Sequence, residues 1–270
     1  MNLERVYLSK RKSLRLEGRT ILITGAARGI GKVIASYFAQ EGANIIIAEI
    51  DLEGAEETAA LVKELGREAL VLKVDISKSS DVREMVVKTY EAFDRVDVLV
   101  NNAGIFPTGD PLIKVKEEIF DRCVAINLRG TFLCSKYMGK KMLRQKNIPG
   151  SQLRGKIINL SSMAGKEGWA LASAYCATKF GVIGLTQSMA KEVAPRLTVN
   201  ALCPGIIKTS LWGRAEERLD ELPKAWNIDL LLKRIGTPED VAPMAVFLAS
   251  SESDYITGQA FNVTGGIVFH

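Results

Sequence analysis

The sequence predicts a doubly wound α/β fold: one parallel sheet of about seven strands with helices on both faces. Three observations predict it. Short apolar runs alternate with stretches of helical periodicity along the whole chain. The early runs are apolar at successive positions, as strands covered on both faces must be. A glycine-rich turn joins the first run to the first helix, where folds of this kind bind ligands at the carboxyl ends of their strands.

The elements follow in order. Thr20–Thr24 is β-branched and apolar, ends at Gly25, and reads as strand one. Gly31–Gln40 has helical periodicity and is closed by Gly42. Asn44–Ala48 is the second strand, Leu52–Leu65 an amphipathic helix, and Ala69–Val74 the third strand. Ser79–Phe93 is a helix and Val96–Val100 the fourth strand. Asp110–Gln145 holds two helices with a break near Ala125–Asn127. Lys156–Leu160 is the fifth strand, Ser173–Ala194 a long helix, and Thr198–Leu202 the sixth strand. Ser210–Lys233 is polar and irregular or helical, Pro238–Ala249 is a helix, and Gln259–Val263 is the last strand.

The 270 residues are 47% hydrophobic, and no Pro/Gly/Ser-rich linker or charge block divides them. A basic extension over residues 1–16 and one domain over 17–270 are expected, with a substrate lid at 210–233. Most of the net charge of +5 sits at the start, where Arg5, Lys10, Arg11, Lys12, Arg15 and Arg19 face Glu4 and Glu17. The rest is near neutral, so no nucleic-acid groove is expected. No apolar run approaches a membrane span, and the start lacks the centre of a signal peptide. A cytoplasmic protein without membrane contact is expected.

Cys123, Cys134, Cys176 and Cys203 form no C-x-x-C and lie in apolar segments, which reads as buried reduced thiols. The one histidine, His270, is the last residue. That argues against a Ser-His-Asp triad and a histidine-rich zinc site, and no metal is expected.

Thr24-Gly25-Ala26-Ala27-Arg28-Gly29-Ile30-Gly31 is the glycine turn. Glycines let the backbone approach a pyrophosphate, and the helix start offers free N–H groups. Glu49, at the end of strand two, lies eighteen residues after Gly31. A carboxylate there accepts from ribose hydroxyls and repels a 2′-phosphate, which favours NAD(H) over NADP(H). Arg28 pulls the other way, and Asp51 is an alternative to Glu49. Asp75 suits either an adenine amino group or a helix N-cap. Asn101-Asn102-Ala103-Gly104 suits a backbone packed close to a cofactor, or a plain turn.

Tyr175 and Lys179 share one helix face, one turn apart. Ser162 lies thirteen residues before Tyr175, at the end of strand five. A phenol with a pKa of about 10 is expected to shift down beside an ammonium and to act as general acid or base. Ser162 can hold the substrate oxygen. Each residue also has a plain packing role, but together they are the one acid–base system this histidine-poor chain offers.

These motifs resemble the short-chain dehydrogenase/reductase family from about Leu16 to the C-terminus. They are Thr-Gly-x-x-x-Gly-x-Gly at 24–31, Asn-Asn-Ala-Gly at 101–104, Asn127, Ser162, Tyr-x-x-x-Lys at 175–179, and Pro-Gly at 204–205 followed by Thr209. The resemblance implies a seven-stranded Rossmann sheet, usually in a homotetramer. It implies a catalytic tetrad of Asn127, Ser162, Tyr175 and Lys179, with Lys179 also on the nicotinamide ribose. Asn127 would place a water beside Lys179 through a local kink in its helix. Cofactor contacts would come from Gly25, Arg28, Gly29, Ile30 and Gly31, from Glu49, Asp75 and Ile76, from Asn101, Ala103 and Gly104, and from Pro204, Gly205, Ile207 and Thr209.

Within the family the likeness is to diol and polyol dehydrogenases, including acetoin reductase/2,3-butanediol dehydrogenases. It rests on Cys203–Thr209 with Trp212, on Ser253–Gln259, and on the ending Gly265–Phe269. The implied reaction is NAD-dependent interconversion of a secondary alcohol and its ketone. Reduction of 3-oxoacyl thioesters is the alternative, and an NAD(H) sensor without turnover is the rival of another class. Leu211, Trp212, Trp226 and Trp169 are expected to wall the substrate pocket, with Glu216, Glu217 and Arg218 solvated.

Overall fold

Residues 14–107, 109–225 and 228–270 are described by a computed structural model. The charged start before Leu14 and Trp226 lie outside the described residues, as do the side chains of Glu216, Glu217 and Arg218.

Seven parallel strands form one sheet in the order β3-β2-β1-β4-β5-β6-β7. They are β1 (Thr20–Thr24), β2 (Asn44–Glu49), β3 (Ala69–Lys73), β4 (Val98–Asn101), β5 (Gly155–Leu160), β6 (Leu197–Pro204) and β7 (Ala260–Val263). The helices are α1 (Gly29–Gln40), α2 (Leu52–Glu64), α3 (Ser79–Ala92), α4 (Glu117–Cys123), α5 (Thr131–Met142), α6 (Ser173–Val193), the short α7 (Leu222–Ala225) and α8 (Pro238–Ala249). The order reverses beside β1, where β4 pairs on the side opposite β2. The crevice at such a reversal opens at the carboxyl ends of the strands.

Strand alternation explains the doubly apolar runs. Ile21, Ile23, Ile45, Ile47, Val98 and Val100 point to a core shared with Ile34 and Phe38 of α1 and Val241 and Ala245 of α8. Leu22, Ile46, Leu99, Ile157 and Val199 point to the other core, with Val82 and Met85 of α3 and Leu133 and Met138 of α5. All four cysteines are free and buried. No helix among the described residues is long and apolar enough to cross a membrane.

Several boundaries differ from the sequence reading. The proposed extension ends inside packed structure: Leu16 is wholly buried, and Arg15 pairs with Glu252 at 2.9 Å. Helix α1 begins at Gly29, two residues earlier than its periodicity suggests, because glycines carry no apolar signal. The break near Ala125–Asn127 is a π-helical turn over Val124–Gly130 that links α4 to α5 without interrupting the helix. The segment after Thr209 is a 3₁₀ stretch, Ser210–Glu221, followed by α7. Its two ends are tied: Ile207 bridges Gly236, Lys208 N–H donates to the Gly236 carbonyl at 2.9 Å, and Gly236 N–H donates to the Ile206 carbonyl at 2.8 Å.

Candidate active site

The turn between β1 and α1 is held by the loop after β4. Gly25 takes a left-handed φ of +71°, and a Cβ there would stand 2.6 Å from the Ala103 Cα. The Asn102 side chain donates to the carbonyls of Thr24 (3.1 Å) and Gly25 (2.6 Å). Thr24 Oγ1 accepts from the N–H groups of Asn102 and Ala103, each at 3.1 Å. A Cβ on Gly31 would collide with the Gly25 carbonyl and the Asn102 amide, so Gly31 supports the turn from beneath. No side chain caps the start of α1, and its first turn holds no acid. Open N–H groups at a helix start suit a pyrophosphate.

Glu49 stands over this turn at the end of β2. Its carboxylate accepts from Ala27 N–H (3.1 Å) and Ile50 N–H (2.8 Å). Arg28 reaches Asp51 at 3.6 Å, and Asp51 also caps α2 through Gly54 N–H. Asp51 is therefore engaged away from the position it was a candidate for. Asp75 lines the cleft but caps no helix, since α3 starts from Lys78. It accepts from Ser77 N–H (3.0 Å) and Ser77 Oγ (2.6 Å). Burial acts to raise its pKa, but those bonds and the Lys78 charge prevail and lower it.

Asn101 corrects the sequence reading. It lies wholly behind the cleft, where its amide donates to Ser135 Oγ (2.9 Å) and Asn159 Oδ1 (2.8 Å). Asn159 continues the network to Thr186 at 2.9 Å. Of the two adjacent asparagines it is Asn102 that lines the cleft, because Asn101 is still within β4.

The cleft has a volume of about 700 Å³ and runs from Glu49, Asp75 and Ile76 past Gly25, Arg28, Gly29 and Ile30 to Tyr175. Ala103, Gly104, Pro204, Gly205, Ile207 and Thr209 line its middle. At its far end Ser162, Tyr175 and Lys179 meet, with Trp169, Leu211 and Trp212 around them. Phe106 and Arg122 also line it, and the sequence reading missed both. The signal for Phe106 was its place two residues after the Asn-Asn-Ala-Gly motif.

Tyr175 and Lys179 rise from α6 and are 8% and 5% exposed. Ser162 Oγ accepts from Ala164 N–H at 3.1 Å, which starts a 3₁₀ turn at the end of β5. Lys179 Nζ donates to the Leu160 carbonyl at 2.7 Å. Burial pushes the Lys179 pKa down to about 8. Burial also raises the Tyr175 pKa, against the opposing hydrogen bond with Ser162. The net direction is thus upward and not the lowering expected beside Lys179, with desolvation of the buried phenol the largest cause.

Asn127 is buried behind the cleft in the π-helical turn. Its side chain clasps Ile105, accepting from the N–H at 2.8 Å and donating to the carbonyl at 2.9 Å. Its carbonyl accepts from Thr131 Oγ1 at 2.8 Å. The side chain thereby fixes the loop bearing Gly104, where an added Cβ would lie 3.2 Å from Asn127 Oδ1 and 3.7 Å from Lys179 Nζ.

A family model described as Enoyl-(Acyl carrier protein) reductase matches residues 25–268. The chain belongs to the short-chain dehydrogenase/reductase family. Members of this family use NAD(P)(H), and the chain is accordingly an oxidoreductase of alcohols and ketones. It is 37% identical over 262 residues to a sorbitol dehydrogenase of Cereibacter sphaeroides, covering 94% of this chain and 98% of the relative. It is 38% identical over 261 residues to a diacetyl reductase, (S)-acetoin forming, of Staphylococcus epidermidis, covering 93% and 99%. Among solved structures, a 3-ketoacyl-(acyl-carrier-protein) reductase from Brucella melitensis complexed with NADH superposes with a TM-score of 0.83. That structure shares 34% identity, and the match covers 94% of this chain and all of that one. The short-chain dehydrogenase/reductase frame accounts for the uncapped α1, the glycine turn and the clustered hydroxyls as two ends of one cleft.

Proposed function

We propose that the protein is an NAD-dependent oxidoreductase interconverting a secondary alcohol, a small diol or polyol, and its ketone. The observation that carries the reading is the meeting of Ser162, Tyr175 and Lys179 in the same cleft as the glycine turn and Glu49. The residues present fit the dinucleotide: the uncapped start of α1 leaves its N–H groups open, and Gly25, Gly29 and Glu49 line the same cleft. Bound there, the nicotinamide would supply or accept the hydride.

The chain's own residues do the rest. Ser162 holds the carbonyl oxygen, and Tyr175 donates a proton to it in reduction or removes one from the alcohol in oxidation. Lys179 Nζ lies over the Tyr175 ring, 5.5 Å from its centroid, and would hold the nicotinamide ribose. Asn127 is a positioning residue that acts through Ile105. Glu49 would meet the adenosine ribose, where its charge would favour two free hydroxyls over a 2′-phosphate. A cytoplasmic homotetramer completes the proposal, on family resemblance.

The test is NADH oxidation over a panel of diketones, ketoses and 3-oxoacyl thioesters. Tyr175→Phe is expected to lose turnover and keep NADH affinity. Full activity in that variant would refute the assignment. Reduction of 3-oxoacyl thioesters is supported as a second reading by the likeness to the Brucella 3-ketoacyl-(acyl-carrier-protein) reductase. Preference for thioesters in the panel would select it, and NADH binding without any turnover would select a sensor.

A further inference from the structure

Thr178 stands on α6 between Tyr175 and Lys179 and is buried against the π-helical turn. A hydroxyl has one proton to give. Thr178 gives its proton to the Tyr175 carbonyl, at 2.8 Å. Only acceptor capacity is left on its oxygen. Asn127 Nδ2 donates to that oxygen at 3.3 Å. Cys123 Sγ stands 3.8 Å from it, and with the hydroxyl proton committed the thiol is the donor of that contact.

The Asn127 amide has two N–H groups. One goes to the Ile105 carbonyl at 2.9 Å. The other is shared between Thr178 Oγ1 and Cys123 Sγ, each at 3.3 Å, and oxygen is the stronger acceptor. Turned over, the amide would set its oxygen against an oxygen with no proton left to offer, and would lose the Ile105 N–H as well. Thr178 therefore fixes which way round Asn127 lies. The next residue seats the same turn on α6: a Cβ on Gly181 would stand 3.0 Å from the Leu128 side chain. A line of hydrogen bonds thus runs from the Tyr175 backbone through Thr178 and Asn127 to Ile105. Ile105 adjoins Gly104, whose added Cβ would stand 3.7 Å from Lys179 Nζ.

We propose that Thr178 is a positioning residue for the reaction, holding the Asn127 amide and, through it, the Gly104–Ile105 loop against the Tyr175/Lys179 face. It acts through Asn127 and requires no contact with substrate or cofactor. The catalytic consequence rests on the alcohol/ketone reading above; the geometry does not. An amide proton left without its oxygen partner in a dry site costs free energy, which a turn of the side chain relieves. That turn would release the Ile105 N–H and loosen the loop. The loop would then no longer be fixed beside the ammonium, and proton transfer depends on such placement.

The experiment compares Thr178→Val, Thr178→Ser, Asn127→Ala and the double variant of Thr178→Val with Asn127→Ala, all in the full chain. Thr178→Val keeps the branched shape and removes the hydroxyl. With NADH and the carbonyl of the panel that wild type reduces fastest, it is expected to lower kcat about tenfold, the scale of one buried hydrogen bond, with KM for NADH within about twofold of wild type. Thr178→Ser restores the hydroxyl and is expected to recover most of the rate. In the Asn127→Ala background, Thr178→Val is expected to cost less than about twofold more, because the two residues act as one unit. Hydrogen–deuterium exchange gives a readout that needs no turnover. The peptide bearing Gly104 and Ile105 is expected to exchange about tenfold faster in Thr178→Val and at the wild-type rate in Thr178→Ser. Multiplying losses in the double variant would overturn the proposal, as would a loss in Thr178→Ser equal to that in Thr178→Val, or unmoved exchange in folded Thr178→Val. Absence of turnover with every carbonyl of the panel would overturn the function itself, and the exchange rates would still decide the role of Thr178.

Discussion

Lys179 Nζ donates to the Leu160 carbonyl at the end of β5, at 2.7 Å, while standing 5.5 Å from the centre of the Tyr175 ring. The ammonium is thus tied to the sheet, in a place dry enough to push its pKa down to about 8. A lysine in the unfolded chain titrates near 10.4. The folded value is the lower one, so from about pH 8 to 10.4 the unfolded chain binds more protons. Stability from this site therefore rises with pH across that window. Below it both states are charged and the full burial cost of about 3 kcal/mol applies. Lys179→Met is expected to lack the rise, which thermal melting from pH 7.5 to 10 measures against wild type. Parallel curves would show that Lys179 titrates as an ordinary lysine.

The proposed preference for NAD(H) rests on Glu49, whose carboxylate accepts from Ala27 N–H in the glycine turn. Glu49→Ala is expected to raise the NADPH-to-NADH ratio of kcat/KM by about tenfold or more, by removing a charge that opposes the 2′-phosphate. A wild-type preference for NADPH would mean that Arg28, not Glu49, governs the site.

Gly31→Ala tests the packing beneath the turn. The new methyl would meet the Gly25 carbonyl and the Asn102 amide, so either the turn or its lacing must shift. Destabilisation of about 1–3 kcal/mol is expected, with weakened NADH binding. Unchanged melting and affinity would show that the turn has slack.

Asn101→Leu separates the two adjacent asparagines. It would leave Ser135 and Asn159 short of a partner behind the sheet. A loss of about 1–3 kcal/mol is expected in denaturant unfolding, with KM for NADH nearly unchanged. A large KM effect with normal stability would place Asn101 in the cleft after all.

Much of this was readable because sheet and site leave periodic marks. Both faces of β1 and β2 are covered, so Ile21 to Ile23 and Ile45 to Ile47 are apolar without alternation. Tyr175 and Lys179 were legible because a helix repeats its face every turn. What was hidden depends on contacts between distant segments. The amides of Asn101 and Asn102 point to opposite sides of β4's end, and only Thr24, Ser135 and Asn159 decide which enters the cleft. The irregularity near Asn127 was legible, but that it is a π-helical turn within a continuous helix and not a break was not. Phe106 gains meaning only when Trp212, far along the chain, is brought against it. The depressed phenol expected at Tyr175 failed because spacing reports the charge nearby and says nothing of how dry the site is.

The bridge between Ile207 and Gly236 closes the chain on itself just outside the sheet. Residues 208–235 are therefore an insert with adjacent ends, and closing such a loop depends only weakly on its length. The sheet and the proton-handling residues can stay as they are while this insert is lengthened, shortened or replaced. Grafting the corresponding stretch of a relative between Thr209 and Gly236 is a modular exchange of the segment whose start, at Ser210, Leu211 and Trp212, walls the far end of the cleft.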